Sequence, residues 1–336
     1  MSIVKKGYGI LKKDGPGTFV RKSSKFGFQK SKAFIQRYVI APPRRFAFHQ
    51  KFGEGIDVMN RDWDYLIILD ACRYDIFEQI VDIDGQLTPV ISKGSHSKEF
   101  ASKHFSDNNF NDTVYVTANG HGARIGENCF YDLIFTDKMD SVPDIEVLHS
   151  SKKGLAPDTV YNAGLKAYNK YPNKRIIIHF MQPHNPYFGD MSRELRKNLE
   201  KEGLIVEARE PEKLEDDTNE KDTVPGLGAA FREGYITQKE LQEVYVENLE
   251  FVLEYVRDLT DELQGKIVVT ADHGERLGEN NKAGHPPYTY TEELRKVPWL
   301  IINNAPRPNI TEEEPPEKTA IDQNAVEKRL ENLGYK

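Results

Sequence analysis

The sequence predicts an α/β fold in which a mainly parallel central sheet is covered by helices on both faces. Short apolar runs rich in Ile, Leu and Val alternate along the chain with stretches of helical periodicity, which favours parallel strands joined by helices. Two of these runs end directly in acidic residues. The 336 residues are 38% hydrophobic, with 17 Phe and 16 Tyr, and can build a sizeable core.

Each predicted strand is a run of apolar residues about five to seven residues long. The predicted strands are Asp64–Asp70, Thr113–Thr117, Lys174–Phe180, Lys266–Thr270 and Val297–Ile302. Pro298 predicts that the fifth strand lies at an edge, because proline cannot donate to a neighbouring strand. Residues 74–81 have helical character. A long helix is predicted from Thr237, which with Glu240 forms a capping box, and a short one over Gln323–Leu333.

Charge divides the chain into segments. Residues 1–55 hold thirteen Lys and Arg against two acids, a net +11, so residues 56–336 hold −18 of the overall −7. We define 1–55 as a basic N-terminal arm, 56–305 as the main domain with an acidic insertion at 190–233, and 306–336 as a tail and helix. Glu207–Asp222 is expected to be a mobile surface excursion.

The basic arm suggests a polyanionic partner. Its aromatic residues could insert at a lipid interface, stack on bases or pack on the main domain. A membrane surface or anionic polymer is the expected partner, with a solvated arm folded over the acidic body as the alternative. The arm has no zinc-finger spacing or RNA-recognition motif, so nucleic acid is not expected.

No apolar run reaches the roughly 18–20 residues that span a bilayer, and no apolar segment follows the first lysines. Cys72 and Cys129 cannot form a disulfide framework and lack zinc-site spacing. We therefore expect a cytoplasmic protein, either free or peripheral at the membrane surface. The sequence does not indicate an oligomeric state.

Metal-ligand residue types follow two of the predicted strands. Asp70 ends the first, and Asp272 and His273 follow the fourth. Carboxylates with an imidazole suit a divalent cation, although a lone Asp at a strand end is often a helix cap. A serine cluster, Ile91-Ser-Lys-Gly-Ser-His-Ser97, precedes a predicted helix start, where a hydroxyl can either cap the helix or act as a nucleophile.

The order of these motifs resembles the sulfatase-like branch of the alkaline phosphatase superfamily, over about residues 60–302. Thr270-Ala-Asp-His-Gly-Glu-Arg-Leu-Gly-Glu279, with His285 downstream, is similar to the corresponding loop of phosphoethanolamine transferases. Leu69-Asp-Ala-Cys-Arg-Tyr-Asp75 is similar to archaeal-type sulfatase-like proteins. Gln182-Pro-His-Asn-Pro-Tyr187 provides the central histidine motif.

The resemblance implies an alkaline phosphatase-like fold and a metal-dependent hydrolase or transferase of phosphate or sulfate esters. The substrate would be an anionic ester, such as a lipid-linked or cell-surface glycan. The implied ligands of one divalent metal (Zn, Mn, Mg or Ca) are Asp70, Asp272, His273 and the nucleophile, Ser97, with Ser95 as alternative. His184 and His285 would contact the substrate, or His285 would bind a second metal.

True sulfatases carry Cys/Ser-x-Pro-x-Arg, and Ser97-Lys-Glu-Phe100 lacks both the Pro and the Arg, so a formylglycine enzyme is not expected. Arg73 could orient a substrate oxyanion or pair with Asp75. His179 is expected to be a packed strand-end residue and His121 to line the pocket rim. The competing hypothesis is a member of the family that has lost turnover and serves as a module for binding an anionic surface.

Overall fold

The computed structural model describes residues 41–106, 108–136, 154–207, 222–315 and 327. Most of the basic arm, the centre of the acidic stretch and the predicted helix at 323–333, apart from residue 327, lie outside the described residues. The described chain divides into two compact units. The first contains a helix at Ala41–Phe52 together with Tyr288–Tyr290, and the second contains the rest from Glu54 onward.

The second unit is organised around a sheet of seven strands. The described part of this unit has nine strands, of which seven form the large sheet. They are β1 Tyr65–Asp70, β2 Gln86–Ile91, β3 Phe110–Thr117, β4 Phe130–Phe135, β5 Arg175–Pro183, β6 Leu204–Glu207, β7 Asp222–Pro225, β8 Gly265–Ala271 and β9 Lys296–Asn304. The large sheet has the order β2-β9-β8-β1-β5-β3-β4, and β6 and β7 form a small separate sheet. Strands β8, β1, β5, β3 and β4 are parallel, and β9 runs antiparallel to β8 and β2. The predicted mainly parallel α/β architecture is confirmed.

The first unit contains the helix α1 Ala41–Phe52. The helices of the second unit connect and cover its strands. They are α2 Tyr74–Ile80, α3 Ser97–His104, α4 Gly120–Gly126, α5 Pro157–Lys170, α6 Asp190–Lys201, α7 Leu227–Arg232, α8 Gln238–Glu262 and α9 Glu292–Arg295. The predicted capping box is present at the start of α8, where Thr237 and Glu240 bond reciprocally. No helix of the described residues is long and apolar enough to cross a membrane.

β1 lies in the middle of the sheet, and all six of its residues are buried. Its side chains alternate between two hydrophobic clusters. Ile67 and Leu69 pack in a cluster that includes the buried residues of α5 and α8, and Leu66 and Ile68 pack in a second cluster with Phe100 of α3. Burial on both faces explains why the sequence of β1 is an unbroken apolar run.

The prediction that the fifth strand lies at an edge is wrong, because β9 lies between β8 and β2. Pro298 is opposite Pro89 of β2 in the register, so the two residues without a backbone N–H occupy one position of the ladder. The sequence analysis also missed β2 and β4. β2 is a largely exposed edge strand, and its sequence has no continuous apolar run.

The two ends of the predicted acidic insertion at 190–233 are part of the packed domain. α6, β6 and α7 contribute Leu199, Leu204 and Leu227 to the cluster that contains Ile67 and Leu69. Residues 208–221, where the acidic residues concentrate, lie outside the described residues.

Candidate active site

Parallel pairing brings three chemistry-bearing strand ends together. β5 and β8 flank β1, so the carboxyl ends of all three lie at one edge of the sheet. Asp70 ends β1, Asp272 and His273 follow β8, and His179 in β5 pairs in register with Ile68. All four side chains are at least 98% buried.

Ser97 is the first residue of α3, and the ring of His96 caps that helix by accepting from the Lys98 N–H. The Ser97 hydroxyl lies 3.3 Å from Asp70 Oδ2 and 3.2 Å from His273 Nε2. Asn119 Nδ2 donates to the same Asp70 oxygen at 2.6 Å. The site therefore places a hydroxyl at a helix N-terminus, beside a carboxylate and an imidazole.

Three buried polar atoms converge beside this hydroxyl. Asp70 Oδ1, Asp272 Oδ2 and His179 Nε2 lie within 4.8 Å of one another, and none hydrogen-bonds to any described residue. His273 Nε2 is 3.5 Å from Asp70 Oδ1 and 3.4 Å from Asp272 Oδ2. Zinc bonds of about 2.1 Å in a tetrahedral arrangement place donor atoms roughly 3.4 Å apart. The donor set therefore fits a divalent cation.

The tautomer of His273 also suits the binding of a cation. Its Nδ1 lies 2.8 Å from the Gly274 carbonyl oxygen, which can only accept, so Nδ1 carries the proton and Nε2 presents a lone pair. The carboxylate of Asp272 is oriented by the backbone N–H groups of Ala71 and His273, which donate to its Oδ1. Its other oxygen, Oδ2, is left facing Asp70 Oδ1 and His179 Nε2.

The carboxylates of Asp70 and Asp272 repel each other electrostatically. At 4.8 Å and an effective dielectric constant of about 20, two negative charges repel by roughly 3–4 kcal/mol. Burial, and then the charge of Asp272, raises the pKa of Asp70 well above its usual range. Burial acts in the same direction on Asp272, but His273 and His179 bring the pKa of Asp272 below its usual value. A bound cation would remove the repulsion.

His184 and His285 form a second group with Glu275, whose ligand atoms also lie within 4.8 Å of one another. The His184 and His285 ring centres are 4.9 Å apart, and His285 is 4.5 Å from His273. His184 Nδ1 donates to the Asn185 carbonyl at 2.5 Å, and His285 Nδ1 to Glu275 at 2.8 Å. With Nδ1 as the donor, the neutral form of each ring carries its lone pair on Nε2.

Ser95, the alternative nucleophile, has a different environment from Ser97. Its hydroxyl donates to Glu99 Oε2 at 3.1 Å and lies 3.1 Å from the Pro286 carbonyl. Glu99 in turn forms a buried ion pair with Arg295, at 2.9 Å. Ser95 therefore belongs to a network that fixes the loop before α3.

Of the two roles considered for Arg73, pairing with Asp75 is the one present. Its Nε and Nη2 donate to the two Asp75 oxygens at 2.9 and 2.7 Å, and Nη1 bonds to Glu279 and to the Glu275 carbonyl. Arg73 thus ties the loop after β1 to the loop after β8.

The sequence analysis did not assign four residues of this site. Asn119 caps α4 and bonds Asp70, and Glu275 orients His285. His96 stacks beside His273 and also approaches His121, with ring centres 6.2 and 5.2 Å apart. His179 is packed, as expected, but it lies in the middle of β5 and not at its end, and its Nε2 is 3.9 Å from Asp272 Oδ2. Glu275 and His96 had a sequence signal, because they lie within the Asp-His-Gly-Glu motif and the serine cluster at Ile91–Ser97.

No protein-family model and no curated protein matches the chain. Similar solved structures are phosphoethanolamine transferases and sulfatases, the groups that the sequence motifs resemble. The soluble domain of lipooligosaccharide phosphoethanolamine transferase A from Neisseria meningitidis is 14% identical, with 70% of this chain and 75% of that chain covered and a TM-score of 0.45. A putative sulfatase from Bacteroides thetaiotaomicron is 13% identical, with 80% and 70% covered and a TM-score of 0.41.

The integral membrane protein EptA from the same Neisseria species is 14% identical, with a TM-score of 0.47. The match covers 71% of this chain, which spans 47% of that protein. Similarities of this size say nothing about substrate, so the function proposed below rests on the geometry of the site.

Adding Zn²⁺ to chelator-treated protein is expected to raise the melting temperature by about 5–10 °C at a hundredfold excess over Kd. The cation neutralises two buried carboxylates that repel each other. Asp272→Asn should abolish most of this shift, and Asp82→Asn, on an exposed carboxylate, should preserve it. Calorimetry with Zn²⁺, Mn²⁺, Mg²⁺ and Ca²⁺ measures the effect. Unchanged melting with all four cations would contradict a metal site.

Glu99→Gln is expected to lower the free energy of unfolding by about 3–5 kcal/mol, because it removes the carboxylate charge that faces the buried guanidinium of Arg295. Burial opposes ionisation of Glu99, but Arg295 and Lys103 bring its pKa from 4.5 to about 2. A depressed pKa in the folded state means that this stabilisation is complete above pH 4.5 and is lost as the pH falls toward 2. Urea titrations across that range measure both effects.

The matched control for this substitution is Glu292→Gln, which removes a half-exposed partner of Lys296. It should change the stability by about 0.5 kcal/mol or less. Equal effects of the two substitutions would show that the Glu99–Arg295 pair does not stabilise the loop before α3.

Proposed function

We propose that the protein is a metal-dependent enzyme of the sulfatase-like branch of the alkaline phosphatase superfamily, which hydrolyses or transfers a phosphoric ester through Ser97. The position of the Ser97 hydroxyl carries the proposal. It lies at the N-terminus of α3, within 3.3 Å of Asp70 and His273, and beside buried carboxylate oxygens that no described residue satisfies.

Asp70, Asp272, His273 and Ser97 would hold the cation. A bound divalent cation lowers the pKa of a coordinated hydroxyl and stabilises negative charge on ester oxygens. The Ser97 hydroxyl donates toward Asp70 Oδ2 and is held rigidly by the first turn of α3. The positive end of that helix also favours an anionic ester next to the nucleophile.

In the proposed reaction, Ser97 Oγ forms a bond to phosphorus as the bond to the leaving oxygen breaks. The proton of Ser97 passes to a neighbouring base, and the resulting phosphoseryl ester is cleaved by water or by an acceptor alcohol. His184 and His285 face this region from the loops after β5 and β8. When the phosphoseryl ester is cleaved, their Nε2 lone pairs can accept the proton of the incoming water or alcohol, while the phosphorus–Oγ bond breaks and the proton given up by Ser97 returns to Oγ. The proton taken from the acceptor then neutralises the oxyanion released in the first step.

As an alternative to accepting protons, the Nε2 lone pairs of His184 and His285 could bind a second cation. A neutral ring that donates through Nδ1 cannot also donate to an oxyanion through Nε2. Burial, and then the neighbouring His285, lowers the pKa of His184 to about 3, which opposes the protonated form. His184, Glu275 and His285 would then act as a second ligand group.

A phosphoric ester is favoured over a sulfuric ester, because Ser97-Lys-Glu-Phe100 lacks the residues that direct formylglycine formation. The acceptor is either water or an alcohol, and a lipid-linked ester is a candidate substrate. A chain that binds no divalent cation and turns over no ester would instead favour the binding-module hypothesis.

We also propose that the segment up to residue 55 contacts an anionic surface, either a membrane or a polymer, and that the protein works free or peripherally in the cytoplasm. Within the described part, α1 exposes Phe46 by 69% between Arg45 and Ala47, with Arg44 beside it. An exposed aromatic ring among arginines is a combination that suits a lipid interface.

Ser97→Ala is expected to lower kcat on an aryl phosphate monoester or diester by roughly 10³-fold or more. Zn²⁺ binding should weaken much less, since three ligands remain. Ser95→Ala should lower kcat by less than about tenfold, because Ser95 faces Glu99. An aryl sulfate in parallel assays tests the choice of ester. Loss of turnover in Ser95→Ala with full turnover in Ser97→Ala would reverse the assignment.

The full chain is expected to sediment with anionic phospholipid vesicles at low salt and not with neutral ones. Each basic residue near the surface contributes about 1 kcal/mol, so Arg44→Glu combined with Arg45→Glu should weaken binding by tenfold or more. Phe46→Ser should also weaken it. Tyr235→Ser, at a comparable exposed ring of the other unit, is the control. Equal binding to neutral vesicles would contradict an electrostatic contact.

A further inference from the structure

We propose that His179 is a ligand of the cation held by Asp70, Asp272 and His273, and that the Tyr115 hydroxyl sets its tautomer. The inference rests on the metal site of the proposed function, although not on any particular substrate. It gives the cation a second imidazole, supplied by the strand next to β1.

The position of the His179 Nε2 atom favours its binding to the cation. It lies within 4.8 Å of Asp70 Oδ1 and Asp272 Oδ2 and hydrogen-bonds to no described residue. The distance to Asp272 Oδ2 is 3.9 Å, too long for a hydrogen bond. A buried polar atom left unpaired costs about 1–3 kcal/mol. Three such atoms that face the same point are accounted for together by one cation.

The other ring nitrogen of His179, Nδ1, is next to a hydroxyl group. His179 Nδ1 lies 2.7 Å from the hydroxyl of Tyr115, which is fully buried in β3. When the phenol accepts the Nδ1 proton, Nε2 is left as a lone pair that faces the carboxylates. His273 has the same arrangement through the Gly274 carbonyl. Partners of this kind orient metal-binding imidazoles and raise their basicity.

The phenol of Tyr115 needs space to reach His179. A side chain at Gly122 in α4 would overlap the Tyr115 oxygen, since a Cβ placed there meets that atom. Glycine at this position lets the tyrosine reach His179 beneath the first turn of α4. The glycine-rich sequence Asn119-Gly-His-Gly122 thus serves the site on two sides, because Asn119 bonds Asp70.

A second imidazole also bears on the choice of metal. Imidazole nitrogen suits Zn²⁺ and related transition ions, whereas Mg²⁺ and Ca²⁺ prefer all-oxygen ligands. A site of two carboxylates, two imidazoles and a hydroxyl should therefore select Zn²⁺ over Mg²⁺ and Ca²⁺.

The experiment uses the full chain, stripped of metal, and measures Zn²⁺ and Mg²⁺ affinity by competition with a chromogenic chelator in the absence of any ester. His179→Gln keeps the size and polarity of the side chain and should weaken Zn²⁺ binding by roughly 10–100-fold or more. Tyr115→Phe should weaken it by about tenfold. Tyr65→Phe, a buried tyrosine at the opposite end of β1, should leave it unchanged.

The absorption spectrum of bound Co²⁺ reports the coordination independently of activity. It should change in His179→Gln and keep its shape in Tyr115→Phe. Wild-type Zn²⁺ affinity together with a wild-type Co²⁺ spectrum in His179→Gln would overturn the proposal. Weakened Zn²⁺ binding in a protein that cleaves no ester would uphold it while the proposed function fails.

If His179→Gln does not fold, the wild-type protein still decides the question. Anomalous diffraction from zinc-loaded crystals locates the ion. A zinc about 2.0–2.1 Å from His179 Nε2 supports the proposal. A zinc bound by Asp70 and Asp272 but more than 3 Å from that nitrogen overturns it.

Discussion

The burial of Asp70 beside Asp272 is the constraint on which the rest of the structure depends. Both side chains are fully buried, and their facing oxygens lie within 4.8 Å. Like charges at that distance in a protein interior are sustained only when positive charge or hydrogen-bond donors compensate them. Asn119, the Ala71 N–H and the backbone N–H of His273 provide part of this compensation. The remainder is what a divalent cation would supply, so the free energy of folding and the capacity for catalysis are linked at one point.

The fold meets this constraint by fixing each participant from a different element. β1 and β8 bring the carboxylates together through parallel pairing, and the loop before α3 is held by the buried Glu99–Arg295 pair. Arg73 ties the two loops that bear Asp70 and Asp272. The placement of these supporting residues determines the distances on which a cation site and an in-line attack depend, because small displacements of reacting groups lower rates strongly.

The sequence predicted the parts of this site that local pattern controls. Apolar runs followed by Asp70 or by Asp272 and His273 placed these residues at strand ends, and the parallel sheet brought the ends together. The position of His179 beside Asp272 could not be predicted, because it follows from the register of β5 against β1 and β3. Arg295 is nearly 200 residues from Glu99, so no local pattern signals their pairing. Proline has no N–H to donate to a neighbouring strand, so Pro298 indicated an edge strand. In the structure β9 is internal, and Pro298 is opposite Pro89 of β2, which the sequence of β9 alone cannot show.

The two histidine groups differ in a way that bears on how a reaction could run. His273 lies against the carboxylates and Ser97, on the nucleophile side. His184 and His285 are oriented by a carbonyl and by Glu275, and the His285 ring lies 4.5 Å from His273. The second group therefore borders the first without sharing its oxygens. This separation allows one side to hold the attacking hydroxyl and the other to handle protons, or a second cation, at the departing oxygen. Because Glu275 lies only three residues after Asp272, one loop sets the spacing between the two sides.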